Sequence, residues 1–142
     1  MSDELVTNAG ALWMIDVLVQ ASAAGDVDVI LLTDTTPFDL ADTPGDHTPN
    51  TLTGGEPQTL STANWSTSVT SGTAFAVSTL ISWGFAAYAG GVTIQQYMVV
   101  DTATGTKLIW GGVLPTPYLV PSGGGILELV ITWPLNQCPE GP

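Results

Sequence analysis

The hydrophobic pattern of the chain changes character near residue 26. Beyond that point, short runs rich in Val, Ile and Thr recur at intervals of roughly ten residues, separated by Gly, Pro and Asx residues. The first run is apolar almost throughout, which predicts burial on both faces. The runs cover residues 27–33, 58–60, 66–70, 75–81, 92–100, 107–114 and 127–133. This rhythm predicts a mainly β protein, a single antiparallel β-sandwich or jelly-roll-like domain over residues 26–135.

The first 25 residues follow a different period. An apolar stripe through Leu5, Ala9 and Leu12 has helical spacing. We therefore expect an N-terminal helix within residues 1–25 that packs on the sandwich. Asp16 argues against a membrane span, because a charge near the middle of such a segment costs a few kcal/mol. The start of the chain also lacks the basic residues of a signal peptide, so we expect a soluble product made in the cytosol.

Residues 35–57, named here the acidic loop, interrupt the strand pattern. The segment contains four prolines and three glycines. It is about twice the usual upper length of a loop in a compact domain, which predicts either a functional loop or an extended arm. At the other end of the domain, residues 136–142 are expected to form a C-terminal tail.

One turn can be read closely from the sequence. Residues 101–105, Asp-Thr-Ala-Thr-Gly, join two apolar runs. We expect Asp101 to accept backbone N–H bonds and Gly105 to adopt a positive φ, as in a β-hairpin. Pro115, Pro117 and Pro121 then predict an extended segment that pairs incompletely, as at a sheet edge.

The charge balance excludes several kinds of partner. Thirteen acidic residues, one Lys and no Arg give a net charge of −12, and ten of the acids precede residue 57. Binding to nucleic acid or to an anionic membrane requires Lys and Arg that this chain lacks. The acidic half is expected to provide solubility or to meet a basic partner. Cys138 is the only cysteine, so no disulfide can form within the chain.

Candidate catalytic and metal-binding groups are few. His47 is the only imidazole, and we interpret it as a surface histidine in a turn. The acids Asp34, Asp39, Asp42 and Asp46 crowd one stretch, but their spacing does not match an EF-hand. A solvated acidic loop is the favoured interpretation, with calcium binding by these four residues as a weaker alternative. No cofactor is predicted.

The aromatic residues are numerous for this length, with five tryptophans. We expect Trp13, Trp110 and Trp133 to fill the core. Trp65 and Trp83 are flanked by Ser, Asn or Gly and are better candidates for an interface. The full set of interface candidates is Trp65, Trp83, Tyr88, Pro37, Phe38 and Leu40.

The order of these features resembles a family of small phage virion proteins described as tail-fibre-like or decoration proteins. The hairpin at residues 98–114 carries the strongest similarity, with its Asp-x-Ala-x-Gly turn followed by Leu, Gly and a Leu-Pro step. Residues 29–37, 52–55 and 120–131 match the family's extended strand, Gly-rich stretch and last Gly-turn-strand unit. The family's Tyr-Ala-Arg-Gln-like step is replaced by Glu-Pro-Gln at residues 56–58. The resemblance implies a structural role with no catalytic residues.

Three hypotheses follow from these features. The first is a virion structural protein, a capsid decoration or cement protein that binds the major capsid protein or other virion proteins as a homo-oligomer, with a trimer favoured. The second is a tail-fibre module that binds a receptor or glycan. The third is an enzyme acting through the acidic loop, which is disfavoured because Arg is absent and only one imidazole is present.

Overall fold

The computed structural model of the protein describes residues 5–6, 26–70, 73–102 and 105–134. The strands in these residues are β1 (Leu5–Val6), β2 (Val27–Leu32), β3 (Gln58–Leu60), β4 (Trp65–Thr70), β5 (Thr73–Ser78), β6 (Ile81–Phe85), β7 (Thr93–Asp101), β8 (Leu108–Leu119), β9 (Gly125–Leu129) and β10 (Thr132–Pro134). Two short 3-10 turns lie at Pro44–Asp46 and Thr62–Asn64. The prediction of a mainly β, antiparallel domain is confirmed.

The larger sheet has five strands in the order β1-β8-β7-β2-β3, all antiparallel to their neighbours. Strand β2 lies between β7 and β3, and its side chains alternate between the two faces of the sheet. Val27, Val29 and Leu31 point into the sandwich, whereas Leu32 joins a second apolar cluster on the outer face. The predicted burial of this run on both faces is confirmed.

The facing layer is a ribbon made of two small sheets placed end to end. In the first, β5 lies between β4 and β10, and in the second, β6 pairs with β9. Val77 pairs with Thr132 and Ile81 with Leu129, so one extra residue is accommodated on the β5–β6 side. An extra residue of this kind is a β-bulge, which bends the ribbon. Leu80, in the bulge, projects outward and is 60% exposed.

The core lies between the two layers. Side chains from both sheets form one apolar cluster, to which β2, β7 and β8 contribute on one side and β5, β6 and Ile131 on the other. Trp110 is 1% exposed and donates its indole N–H to the Tyr97 hydroxyl at 3.2 Å. The prediction that Trp110 fills the core is confirmed. The side chains of Trp13 and Trp133 lie outside the described residues.

The prediction of an N-terminal helix is wrong for Leu5 and Val6, the residues of this segment that the structure describes. Leu5 and Val6 form β1, which pairs with Gly111 and Trp110 at the edge of β8 instead of opening a helix. An apolar Leu-Val pair suits a strand as well as a helix, and the edge of β8 offers unpaired backbone groups that decide between the two. The rest of the predicted helix (residues 7–25) and the predicted tail (136–142) lie outside the described residues. No helix in the described part of the chain is long and apolar enough to span a membrane.

The predicted hairpin between β7 and β8 is confirmed. Gly105 has a φ of +66° and donates its N–H to the Asp101 carbonyl at 2.9 Å. The Asp101 carboxylate accepts the N–H of Lys107 at 2.9 Å. Asp101 is 7% exposed, so this carboxylate closes the turn from a buried position.

Replacing Asp101 with alanine should open this hairpin more often. Loss of the carboxylate leaves the Lys107 N–H without this acceptor, at a cost of about 1 kcal/mol, and a fivefold larger open population is roughly what that implies. Trypsin measures the opening, because Lys107 is the only Lys or Arg in the chain. Asp101→Asn keeps the acceptor oxygen and serves as the control. Equal cleavage rates for the alanine variant and the wild type would contradict this account of the turn.

Candidate functional site: the acidic loop and the outer faces

The acidic loop folds back on the larger sheet. Thr33 donates its N–H to the Thr48 carbonyl at 3.0 Å, and Asn50 donates its N–H to the Leu31 carbonyl at 2.9 Å. These bonds hold residues 48–50 beside the end of β2. The interpretation of residues 35–57 as an extended arm is therefore wrong for the described chain. The sequence forms local turns instead, because Asp and Asn side chains bind nearby backbone N–H groups.

His47 lies at the centre of this folded segment. Its side chain is completely buried, between two carboxylates. The Nδ1 atom lies 3.0 Å from Oδ2 of Asp34, and the Nε2 atom lies 2.8 Å from Oδ2 of Asp42. Both contacts are hydrogen bonds only when both ring nitrogens carry a proton or when one carboxyl supplies it. We name this arrangement the His47 clamp, comprising His47, Asp34 and Asp42.

Asp34 joins the clamp to the sheet. One carboxylate oxygen contacts His47, while the other accepts the N–H of Thr48 at 2.9 Å. Burial alone would raise the pKa of Asp34, but the hydrogen bond from Thr48 and the contact with His47 outweigh it, so the pKa lies below its usual value. Asp34 is therefore ionised at neutral pH and faces the imidazole as an anion.

Aromatic packing ties the clamp to the outer face of the sheet. The Phe38 ring lies 4.3 Å from the His47 ring, measured between centroids, at 34°. Phe38 also packs over Gly111 of β8 so closely that a Cβ atom there would stand 2.4 Å from the ring. This packing covers part of the outer apolar cluster of Leu32, Met98, Val100 and Leu108. Through Phe38, the His47 clamp holds this part of the acidic loop against the outer face of the five-stranded sheet, the face opposite the core.

The four acids proposed as calcium ligands do not converge. Asp34 and Asp42 face His47, a group that becomes cationic when it is protonated. Asp39 accepts the N–H of Ala41, and Asp46 accepts the N–H of Thr43. No group of three or more metal-ligating side chains occurs among the residues that the structure describes. These carboxylates bind protein donors instead, and the weaker alternative of calcium binding has no support in this geometry.

Acidification should loosen the acidic loop through Asp34. Its pKa is lower in the folded chain than in the unfolded chain, so its contribution is fully present above about pH 4 and is lost as the pH falls through the folded value. We expect Asp34→Asn to be less stable than wild type at pH 7 and to lose less stability between about pH 4 and pH 2. Urea unfolding across this range measures both effects. Glu128→Gln, which removes a carboxylate from the other sheet, is the matched control and should follow the wild type. An Asp34→Asn curve parallel to the wild-type curve would be the contrary result.

A polar groove runs beside the loop. It has a volume of about 500 Å³ and lies where the end of β2 and residues 48–51 meet the start of β7. Uncharged side chains predominate in its lining, including Thr33, Thr48, Asn50, Thr93 and Gln95. A groove with hydroxyls and amides but no charge suits a neutral, hydroxyl-rich ligand.

The predicted interface residues have different environments. Trp83 is 0% exposed and donates its indole N–H to the Glu56 carbonyl at 3.0 Å, so its assignment to the surface is wrong. Trp65 is half-buried against the core. Tyr88 is also half-buried, and its hydroxyl donates to the Val120 carbonyl at 2.7 Å. Pro37 and Leu40 are exposed on the acidic loop, with Phe38 half-buried between them.

The outer face of the β6–β9 ribbon was not anticipated from the sequence. Leu80, Ile126 and Val130 project from it and are 60%, 67% and 46% exposed. The alternation of Gly125–Leu129 carried the signal, since Ile126 and Glu128 fall on the face opposite Leu127. We name this surface the apolar strip, comprising Leu80, Ile126 and Val130 with Glu128 among them.

The only imidazole of the chain contacts a carboxylate with each of its ring nitrogens. Neither nitrogen of His47 is left to take a proton from a nucleophile. His47 was predicted to be a surface residue in a turn, and that prediction is wrong because its side chain is buried. One available signal was that His47 is the only basic side chain between residues 26 and 106, in a stretch rich in acids. Comparison of the chain with known protein families, characterised proteins and solved structures finds no significant match.

Proposed function

We propose that this chain is a non-enzymatic structural protein of a phage-type virion, namely a capsid decoration or cement protein that binds the outer shell as an oligomer. The observation that carries the proposal is the acidic loop, folded on the larger sheet and presenting exposed carboxylates. Asp39 and Asp46 are both exposed there. Because no Lys or Arg occurs before residue 107, nothing but the buried His47 offsets this charge. Such a surface favours a basic partner.

Two further features support a structural role. The only imidazole is buried in the His47 clamp, which leaves it out of reach of a substrate. The 98–114 hairpin carries the resemblance to phage virion proteins. It lies in β7 and β8, which are the two longest strands of the five-stranded sheet. A stable sandwich with one acidic face would cover a shell of opposite charge without any chemical step.

Binding to particles tests this proposal. Purified chain is mixed with particles that lack it and is sedimented through sucrose at increasing salt. We expect co-sedimentation that weakens as salt screens the charges. The double variant Asp39→Asn, Asp46→Asn should bind more weakly, since each asparagine keeps an acceptor for its turn while losing the charge. Glu128→Gln, on the other sheet, removes one carboxylate and should bind as wild type. Chain that stays at the top of every gradient would refute the proposal.

A tail-fibre or glycan-binding module is the second candidate, and the polar groove favours it. Its uncharged Thr, Asn and Gln lining offers donors and acceptors to a sugar. Nuclear magnetic resonance titration with host polysaccharide tests it, with Thr48→Val and Thr51→Val as groove variants. Saturable shifts at the groove that these variants abolish would favour this function over shell binding. Unchanged spectra at millimolar sugar would dismiss it.

A further inference from the structure

The two contacts of the His47 ring fix the number of protons in the clamp. Nδ1 lies 3.0 Å from a carboxylate oxygen of Asp34, and Nε2 lies 2.8 Å from one of Asp42. A neutral imidazole carries one N–H, so it donates to one of these oxygens and turns a lone pair towards the other. A lone pair facing a carboxylate is repulsive, and the completely buried side chain of His47 is poorly screened by water. The closed clamp therefore needs one proton more than a neutral imidazole and two carboxylates hold.

The bonding of the two carboxylates places this proton on the imidazole. Asp34 accepts the N–H of Thr48 at 2.9 Å through its other oxygen. The oxygen of Asp42 that faces the ring also accepts the N–H of Asp39 at 2.9 Å. Backbone N–H donors of this kind stabilise the ionised form of a carboxyl group. The ring of the closed clamp is thus an imidazolium that donates from both nitrogens.

The surroundings of the ring favour a positive charge from every side. Of the described residues, those whose charge faces the imidazole are all acids: Asp34 from the end of β2, and Asp42 and Asp46 from the acidic loop. Phe38 covers the ring at 4.3 Å without adding a charge, and the strands beneath Phe38 contribute the outer apolar cluster. A cation is therefore stabilised at this position only while the loop is closed.

An open loop holds fewer protons than a closed one. A histidine exposed to water loses its proton near about pH 6.5, whereas the closed clamp retains it. Raising the pH above this value therefore favours the open loop, and the proton passes to the solvent. At the acid end, the clamp persists down to about pH 4, since Asp34 is protonated only below that value. We propose that the His47 clamp is a pH-dependent latch that holds the acidic loop on the sheet up to neutral pH and releases it in alkaline solution.

Release changes the surface of the protein in two ways. It uncovers the outer apolar cluster, on which Phe38 packs. It also frees the segment that carries the exposed carboxylates of Asp39 and Asp46. The inference rests on the proposed function in that the same loop carries the proposed shell contact, but its test requires no particle.

The latch can be measured in the full chain because His47 is its only histidine. Nitrogen-15 nuclear magnetic resonance of histidine-labelled protein should show a proton on both ring nitrogens at about pH 7.5, where an exposed histidine is largely neutral. Amide protection of residues 33–50, corrected for the intrinsic pH dependence of exchange, should fall nearly tenfold between about pH 7 and pH 8. Protection in β7 and β8 should stay constant.

Asp42→Asn should abolish this pH dependence. The asparagine amide can donate to Nε2 of a neutral imidazole, so the variant closes without the additional proton. Asp39→Asn is the matched control, because it removes the same charge from the same loop but its side chain bonds to the N–H of Ala41. It should keep the wild-type slope.

Three results would overturn the latch. They are a neutral imidazole at about pH 7.5 in a loop that stays protected, loop protection that does not change with pH, and an unchanged slope in Asp42→Asn. A chain with the latch that binds no particles contradicts the proposed function alone, whereas particle binding by a chain without the latch contradicts this inference alone.

Discussion

Trp83→Ala is expected to destabilise the sandwich by about 4 kcal/mol. Trp83 is 0% exposed in the middle of β6, where its ring fills the space between the two layers. Its indole N–H also holds the Glu56 carbonyl, which fastens the end of the acidic loop to the smaller layer. The truncation therefore opens a cavity and removes the hydrogen-bond partner of a carbonyl. Urea unfolding followed by circular dichroism measures the loss.

Two other tryptophan variants separate core from interface at this position. Trp65→Ala, at a half-buried position against the core, should cost clearly less than Trp83→Ala. Trp83→Phe keeps most of the ring and should fall between the wild type and Trp83→Ala. If Trp83 belonged to an exposed interface, Trp83→Ala would leave the unfolding midpoint unchanged and would weaken association instead. That result would contradict the placement of Trp83 in the core.

His47→Ala is expected to cost about 3 kcal/mol, which lowers Tm by about 6–12 °C in a chain of this size. Removing the imidazole leaves the Asp34 and Asp42 carboxylates facing each other across a void, with side chains 14% and 15% exposed. Phe38 loses the ring it packs against. The part of the acidic loop that carries Phe38 then detaches from the outer apolar cluster before the sandwich unfolds. Hydrogen exchange should detect this as faster exchange in residues 33–50 than in β7 and β8.

A double-mutant cycle tests the charges in the clamp. Asp42→Asn removes one of the two facing carboxylates and should cost less in the His47→Ala background than in the wild type. We expect a coupling energy of about 1 kcal/mol or more. His47→Gln, which can donate to one carboxylate, should recover part of the lost stability. If His47→Ala lowered the free energy of unfolding by less than about 0.5 kcal/mol, the His47 clamp would not stabilise the fold.

Local patterns predicted much of the fold. The apolar run of β2 and the Asp101–Gly105 turn were foreseen because burial and turn chemistry are properties of neighbouring residues. Strand β6 was missed. Ser82 and Gly84 alternate with Trp83 and Phe85, a pattern that fits a loop as well as a strand until a partner strand is known. Strand β9 supplies that partner from forty or more residues further along the chain, and no local pattern contains it.

The site was harder to predict because its members come from different turns. Asp34 ends β2, Asp42 follows an Asx turn, and His47 follows the 3-10 turn at Pro44–Asp46. Their sequence separations of eight and five residues match no known ligand spacing. The convergence is fixed by the return of residues 48–50 along β2, which is a tertiary event. Acid content therefore suggested a solvated loop, with calcium as a weaker alternative, whereas the fold brings a histidine between two of the acids.

The composition of purified particles tests most directly the proposal that this chain covers the shell of a virion. Quantitative mass spectrometry of gradient-purified particles should find the chain in a fixed ratio to the major shell protein. High salt should release the chain from the particles, because the contact is made by the acidic loop. Particles that never contain the chain, while it accumulates in the soluble fraction of the same cultures, would contradict the claim.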